Sequence, residues 1–268
     1  MSHAEGQRQN SQLRLVFAMG SDPGITRKQK PNEDSLFAYQ CIQTYTSQVQ
    51  SFGVFVVADG MGGHAHGQEA SRMAIQVISN NLLPPLLANA NVGEDGLSSL
   101  LVNTIQLANR AIYQYNQQEN ANMGTTVTAV LFEGTTAYVA NVGDSRTYLY
   151  RESTGLSQIT IDHSVVARLV QTGKITSDDV YMHPKRNQLS RNLGEKADVE
   201  VDAFTVPLLT GDRLLLCSDG LWEMVRDPDI QRIMSANVEI SQVVMLLIQA
   251  ALAGGGNDNV SIVVVYVV

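Results

Sequence analysis

Two apolar runs of this chain end in the same dipeptide. Phe55-Val56-Val57-Ala58 leads into Asp59-Gly60, and Leu214-Leu215-Leu216-Cys217-Ser218 leads into Asp219-Gly220. A third run, from Ser261 to Val268, begins just after Asn257-Asp258-Asn259. Short apolar runs that are β-branched or leucine-rich, and bounded by Gly, Asp and Asn, read as buried strands. Each carboxylate then stands at the lip of a strand, where a rigid scaffold can hold it at a cleft. Acids gathered in one place repel unless cations neutralise them, so the pattern points to a hard divalent metal site.

Composition narrows the class. A chain of 268 residues can bury a proper core in one large domain or two small ones. The formal net charge of −8 lacks the basic footprint of a nucleic-acid binder. Residues 1–12, rich in Gln, Ser and Asn, read as a disordered tail without the apolar core of a signal peptide. The longest apolar stretches, Val243 to Ala253 and Ile262 to Val268, are too short to cross a bilayer, so no membrane partner is expected. Two cysteines, Cys41 and Cys217, fit a reduced, cytoplasmic chain.

Strands are expected over 13–18, 35–44, 52–58, 125–132, 136–142 and 146–151, besides the runs already named. Helical spacing marks 69–87, through Ala70, Met73, Ala74, Val77, Ile78 and Leu82, and a second helix over about 96–115. Shorter helices are expected at 165–174, 228–234 and 240–253. Strands and helices come in blocks rather than strict alternation, which favours an α+β fold. No repeat or linker-like tract divides the chain, so 13–268 reads as one domain.

Glu33 and Asp34 lie just ahead of a strand, in Pro31-Asn32-Glu33-Asp34-Ser35. With Asp59, Asp219, Asp258 and Asp144 they make a set of acids at element boundaries. Oxygen ligands suit Mg²⁺ or Mn²⁺, whereas zinc sites favour closely spaced Cys and His. Two such ions would acidify a shared water and clamp a phosphoryl oxygen for in-line attack. Gly60 would let a backbone carbonyl approach an ion. Taken singly, an Asp-Gly pair is an ordinary turn. Asp144-Ser145-Arg146 reads equally as a hairpin turn closed by its own salt bridge. His64 and His66 suit proton transfer or simply a polar loop. Arg27, Lys28 and Lys30 are either a solvated face or a phosphate grip. The cysteines lack the Cys-x5-Arg loop of a cysteine phosphatase, and there is no Walker A loop.

Taken in order, these segments resemble the metal-dependent protein phosphatase 2C (PPM) family, bacterial type. The matching blocks are Asn32-Glu33-Asp34-Ser35, Asp59-Gly60-Met61-Gly62-Gly63-His64, Gly124-Thr125-Thr126, Gly143-Asp144-Ser145-Arg146, Asp162-His163-Ser164, Ser218-Asp219-Gly220 and Asn257-Asp258-Asn259. The resemblance implies a central sandwich of two mostly antiparallel β-sheets flanked by helices on both sides. It implies two, or with Asp144 and Ser164 three, Mn²⁺ or Mg²⁺ ions. Asp59 would bridge two of them, with Glu33 and the Gly60 carbonyl on one and Asp219 and Asp258 on the other. Asp34 would hydrogen-bond a metal-bound water, and the segment from about 162 to 194 would be a flap beside the cleft.

The implied activity is hydrolysis of phosphoserine or phosphothreonine on proteins by direct attack of a metal-bridging water, in a monomeric signalling enzyme opposing Ser/Thr kinases. Arg27 would orient the phosphoryl group and His64 would protonate the leaving oxygen. Relatives usually place the arginine about three residues before the Asn of this motif, where Gln29 stands, so 29–31 reads as carrying a two-residue insertion. That leaves Arg27, Lys28 or Lys30 as the grip. Two other readings are a phosphoprotein-binding module without turnover and a phosphatase of small phosphate esters.

Overall fold

From Val54 to Ala58 every side chain is buried. Val54, Val56 and Ala58 pack among helical residues such as Ala70, Ala74 and Ile78. Phe55 and Val57 point the other way, toward Leu214, Leu216, Val263 and Val265. Successive strand residues face opposite sides, so an unbroken apolar run must be covered twice. This is why the chain forms layers.

The computed structural model describes residues 13–45, 48–62, 65–88 and 94–268. The expected tail at 1–12 lies outside these residues. The strands are β1 (Leu15–Asp22), β2 (Asp34–Tyr45), β3 (Gln48–Met61), β4 (Gly124–Thr125), β5 (Val127–Glu133), β6 (Thr136–Val142), β7 (Arg146–Arg151), β8 (Gly155–Gln158), β9 (Asp202–Pro207), β10 (Arg213–Cys217) and β11 (Val260–Val267). The helices are α1 (Ala65–Leu87), α2 (Glu94–Glu119), α3 (Val165–Gln171), α4 (Asp219–Trp222), α5 (Asp227–Met234) and α6 (Ile240–Ala253), with a 3₁₀ turn at Asp178–Met182.

One sheet runs β1-β11-β10-β7-β8 and the other β2-β3-β5-β6-β9, with β4 on the end of β3. Neighbours pair antiparallel throughout. α1 and α2 cover the second sheet. α4, α5 and α6 cover the first, where Val243 and Leu247 meet Leu215, Cys217, Ile262 and Val264. The order of layers is helix, sheet, sheet, helix, as the resemblance implied.

α1 starts a turn earlier than its apolar spacing suggested, at Ala65 rather than Glu69. β8 and β9 were not expected at all. β9 is an edge strand whose residues alternate between half-buried and exposed, so it carries no apolar run to betray it. Between β8 and β9 the chain forms only α3 and the 3₁₀ turn. This segment is pinned to itself by a bridge between Ser164 and Leu189, and to β4 by one between Thr125 and Leu193.

Candidate metal centre

Antiparallel pairing sets the start of one strand beside the end of its neighbour. In the second sheet this places Asp34, first residue of β2, directly across from Asp59 near the end of β3. In the first sheet β10 ends beside the start of β11, with Cys217 across from Ile262. Asp219 follows β10 and opens α4, while Asp258 precedes β11. All four acids are thereby delivered to one edge of the sandwich. There a cleft of about 790 Å³ is lined by Glu33, Asp59, Gly60, Asp144, Asp219 and Asp258, together with Arg27, Gln29 and Lys30. Lys28 is exposed and does not line it. His64 lies outside the described residues.

The acids are held by short polar side chains from distant stretches of the chain. The Ser218 hydroxyl donates to Asp34 Oδ2 at 2.8 Å and itself accepts from the Ser261 amide at 3.0 Å. The Glu33 amide donates to Asn259 Oδ1 at 2.8 Å, and Asn259 Nδ2 donates to the Pro23 carbonyl at 3.0 Å. The Asp59 amide donates to Thr126 Oγ1 at 3.0 Å, and Thr125 Oγ1 donates to the Asp59 carbonyl at 2.9 Å. Sequence reasoning assigned no role to Ser218, Asn259, Thr125 or Thr126. Adjacency to an acid at a strand end is the signal that would have found Ser218 and Asn259.

Gly60 has no room for a side chain. A Cβ there would stand 1.9 Å from the Gly67 carbonyl oxygen and 2.6 Å from that of Glu33. Asp144 is buried, and the salt bridge considered for its turn does not form, because Arg146 pairs with Asp162 instead. Ser164 is committed to capping α3, its hydroxyl accepting from the Ala167 amide at 3.1 Å.

Burial, followed by mutual repulsion, raises these carboxyl groups. Asp59 and Asp219 are pushed well above the ordinary carboxylate range, first by desolvation and then by the neighbouring acids. Desolvation lifts Asp34 to about 7, against the pull of the Ser218 hydroxyl, and lifts Asp144 to about 7 with help from Asp162. Asp34 Oδ1 and Asp219 Oδ1 are buried with no hydrogen-bond partner among the described residues. Glu223, one turn beyond Asp219 and absent from the sequence expectations, belongs to the same charge cluster and is also raised by burial.

Arg27 is the cation at the rim. One guanidinium nitrogen, Nη1, lies 2.9 Å from Glu33 Oε2 and 2.7 Å from Asp258 Oδ1. Its loop is stitched to the one carrying Asp258, through the Ile25 amide to the Gly256 carbonyl and Thr26 Oγ1 to the Asn257 carbonyl. Among the described residues no group of three His, Cys, Asp or Glu side chains stands close enough to hold an ion as it is. The donor set nevertheless fits a hard cation. It is all oxygen, two buried carboxylate oxygens await a partner, and a bare glycine flanks them.

Fold and cleft together define a helix-flanked sandwich with an acidic cleft at one edge and Arg27 at its rim. Residues 24–248 match the family model described as Protein phosphatase 2C. The chain is 39% identical over 214 residues to the serine/threonine phosphatase stp of Listeria monocytogenes, covering 79% of this chain and 83% of that one. It is similar to the crystal structure of the Mycobacterium tuberculosis serine/threonine phosphatase PstP/Ppp, with a TM-score of 0.79 and 36% identity over 94% of this chain and 98% of that one. It is also similar to the catalytic domain of PstP solved in complex with 2 manganese ions, with a TM-score of 0.77 and 34% identity over 96% of this chain and 99% of that one. The chain belongs to the protein phosphatase 2C family.

Proposed function

We propose that this chain is a metal-dependent phosphoprotein phosphatase that hydrolyses phosphoserine and phosphothreonine. The observation that carries this reading is the convergence of Glu33, Asp59, Asp144, Asp219 and Asp258, from separate strand ends, on one cleft with Arg27 at its rim. Two Mn²⁺ or Mg²⁺ ions would be held by Asp59 with the Gly60 carbonyl and Glu33, and by Asp219 with Asp258. Asp144 is available for a further ion. The similarity to the manganese-bound PstP catalytic domain supports that assignment. Such ions, when bound, acidify water and neutralise charge on a phosphoryl group.

The chain's own residues do the rest. Arg27 exchanges its contacts with Glu33 and Asp258 for phosphoryl oxygens, for which its planar fork is suited. Lys30 adds a second positive charge to the same rim. Asp34, anchored by Ser218 and facing Asp59 across the sheet, hydrogen-bonds solvent beside the acids. His64 is the candidate proton donor to the leaving oxygen. Residues 13–268 act as a single catalytic domain, with the segment of about 162–194 as its flap. Among the described residues no helix is long and apolar enough to cross a membrane. A cytoplasmic monomer opposing Ser/Thr kinases fits the acidic charge and the two free cysteines.

Turnover of a phosphothreonine peptide with Mn²⁺ tests the reading. Activity should vanish with EDTA and return with added metal. Turnover that survives EDTA overturns it, and metal binding without turnover identifies a phosphoprotein-binding module instead.

A further inference from the structure

The turn that carries Asp144 is gripped by a histidine from the base of the flap. His163 is buried, with 7% of its surface exposed. Its backbone amide donates to the Gly143 carbonyl at 2.9 Å, and its ring Nδ1 lies 3.1 Å from the Gly143 amide nitrogen. A backbone N–H can only donate, so Nδ1 must be the acceptor and carries no proton. In the neutral ring the proton then sits on Nε2. Asp202 Oδ2, on β9, stands 3.0 Å from that nitrogen and receives it. Arg191 Nη1 is also 3.0 Å from Nε2, but both are donors, and Arg191 is satisfied by Asp202 Oδ1 at 2.6 Å. Thus Asp202 selects the tautomer, and the tautomer selects the contact with Gly143.

Gly143 needs such a hold. Its φ is +106°, and a Cβ there would come within 2.6 Å of the Thr126 side chain. The next carbonyl, that of Asp144, accepts from Trp222 Nε1 at 3.0 Å. The peptide before Gly143 is therefore held by the His163 ring, the one before Asp144 by the His163 backbone amide, and the one after Asp144 by Trp222. The same histidine receives the Ser190 amide on its carbonyl at 2.9 Å, at the point where the flap returns.

We propose that His163, as the neutral Nε2–H tautomer, is a positioning residue that clamps the Gly143 peptide and so aims Asp144 into the cleft from the root of the flap. This rests on the phosphatase reading for its kinetic consequence, though not for its geometry. Misplacing one carboxylate by a fraction of its length is enough to slow chemistry without weakening peptide binding.

The asparagine and glutamine variants separate the two ends of the ring. In His163→Asn the amide oxygen replaces the Nδ1 acceptor. In His163→Gln the amide reaches Asp202 and leaves the Gly143 N–H without its acceptor, while the backbone bond to the Gly143 carbonyl persists. With Mn²⁺ and a phosphothreonine peptide, His163→Gln should lose about tenfold to a hundredfold in kcat at little change in KM. His163→Asn should recover most of that loss. Amide hydrogen exchange at Gly143 should quicken in the Gln variant and stay slow in the Asn variant. In an Asp144→Asn background, His163→Gln should add no further loss, because the two act as one unit. Equal activity and equal Gly143 protection in both variants would overturn the clamp, as would full additivity with Asp144→Asn. Should neither variant fold, ¹⁵N spectra of the wild-type imidazole decide, since a proton on Nδ1 contradicts the proposal. A wild type inactive on the peptide would sink the phosphatase reading alone, leaving exchange and tautomer to judge the clamp.

Discussion

Asp162 and Asp212 each meet a guanidinium fork, whereas Asp59, Asp144 and Asp219 meet one another. Arg146 Nε and Nη2 reach the Asp162 oxygens at 3.0 and 2.7 Å, and Arg151 Nε and Nη2 reach those of Asp212 at 2.8 and 2.6 Å. Arg146 also lies 3.6 Å above the Trp222 ring and donates to the Tyr148 hydroxyl at 2.9 Å. In contrast, no ion pair among the described residues reaches Asp59, Asp144 or Asp219. Where a buried acid is structural, this fold supplies its cation from its own chain. Asp59, Asp144 and Asp219 lack one, and burial first, then the repulsion of neighbouring acids, raises the carboxyl groups of Asp59 and Asp219. A missing counter-charge inside an otherwise well-paired molecule marks the place where a cation must arrive from solution.

The contrast breaks most sharply at Asp59. Asp59→Asn should lower metal-dependent turnover on the order of a thousandfold, as removal of a principal charge at a reacting centre does. The same change removes a repelling charge, so the melting temperature measured in EDTA should hold or rise. A variant that keeps its activity, or melts well below the wild type, would mean that Asp59 belongs with the structural acids. Arg146→Ala should behave in the opposite way. Stranding buried Asp162 should cost about 3–5 kcal/mol in urea unfolding, whereas replacing both partners by apolar residues should cost far less. If the single and double changes are equally harmful, Arg146 matters for its packing on Trp222 and not for charge.

The smallest effect is expected at Asp202, which is only partly buried. Burial works to raise its carboxyl, and the His163 and Arg191 contacts outweigh it, leaving the group below the ordinary 3.8. Its contribution to stability is therefore complete above that value and is lost as pH falls through the lowered folded value. The difference in melting temperature between wild type and Asp202→Asn should be present at neutral pH and shrink only in acid. A difference that instead closes near neutral pH would mean that the Asp202 carboxylate is not its source.

Legibility followed the same division. The strands around Val54–Ala58, Leu214–Cys217 and Ile262–Val265 were readable because a strand buried on two faces writes itself as an apolar run. The acids that close them were readable because they interrupt those runs. β9 was not, since an edge strand alternates weakly. Nor was the partner of Arg146, for only the adjacent Asp144 suggested itself and Asp162 lies 16 positions away.

By itself, then, the order of residues determined which segments are buried and where acids sit along them, since periodicity and strand ends are local properties. Only the folded chain decided which charges would meet. Ser218 reaches Asp34 across 184 positions and Asn259 reaches Glu33 across 226, distances over which no local preference acts. Partner choice depends on sheet register and on how two sheets stack. Those same contacts separate an acid neutralised from within from one left to a cation in solution.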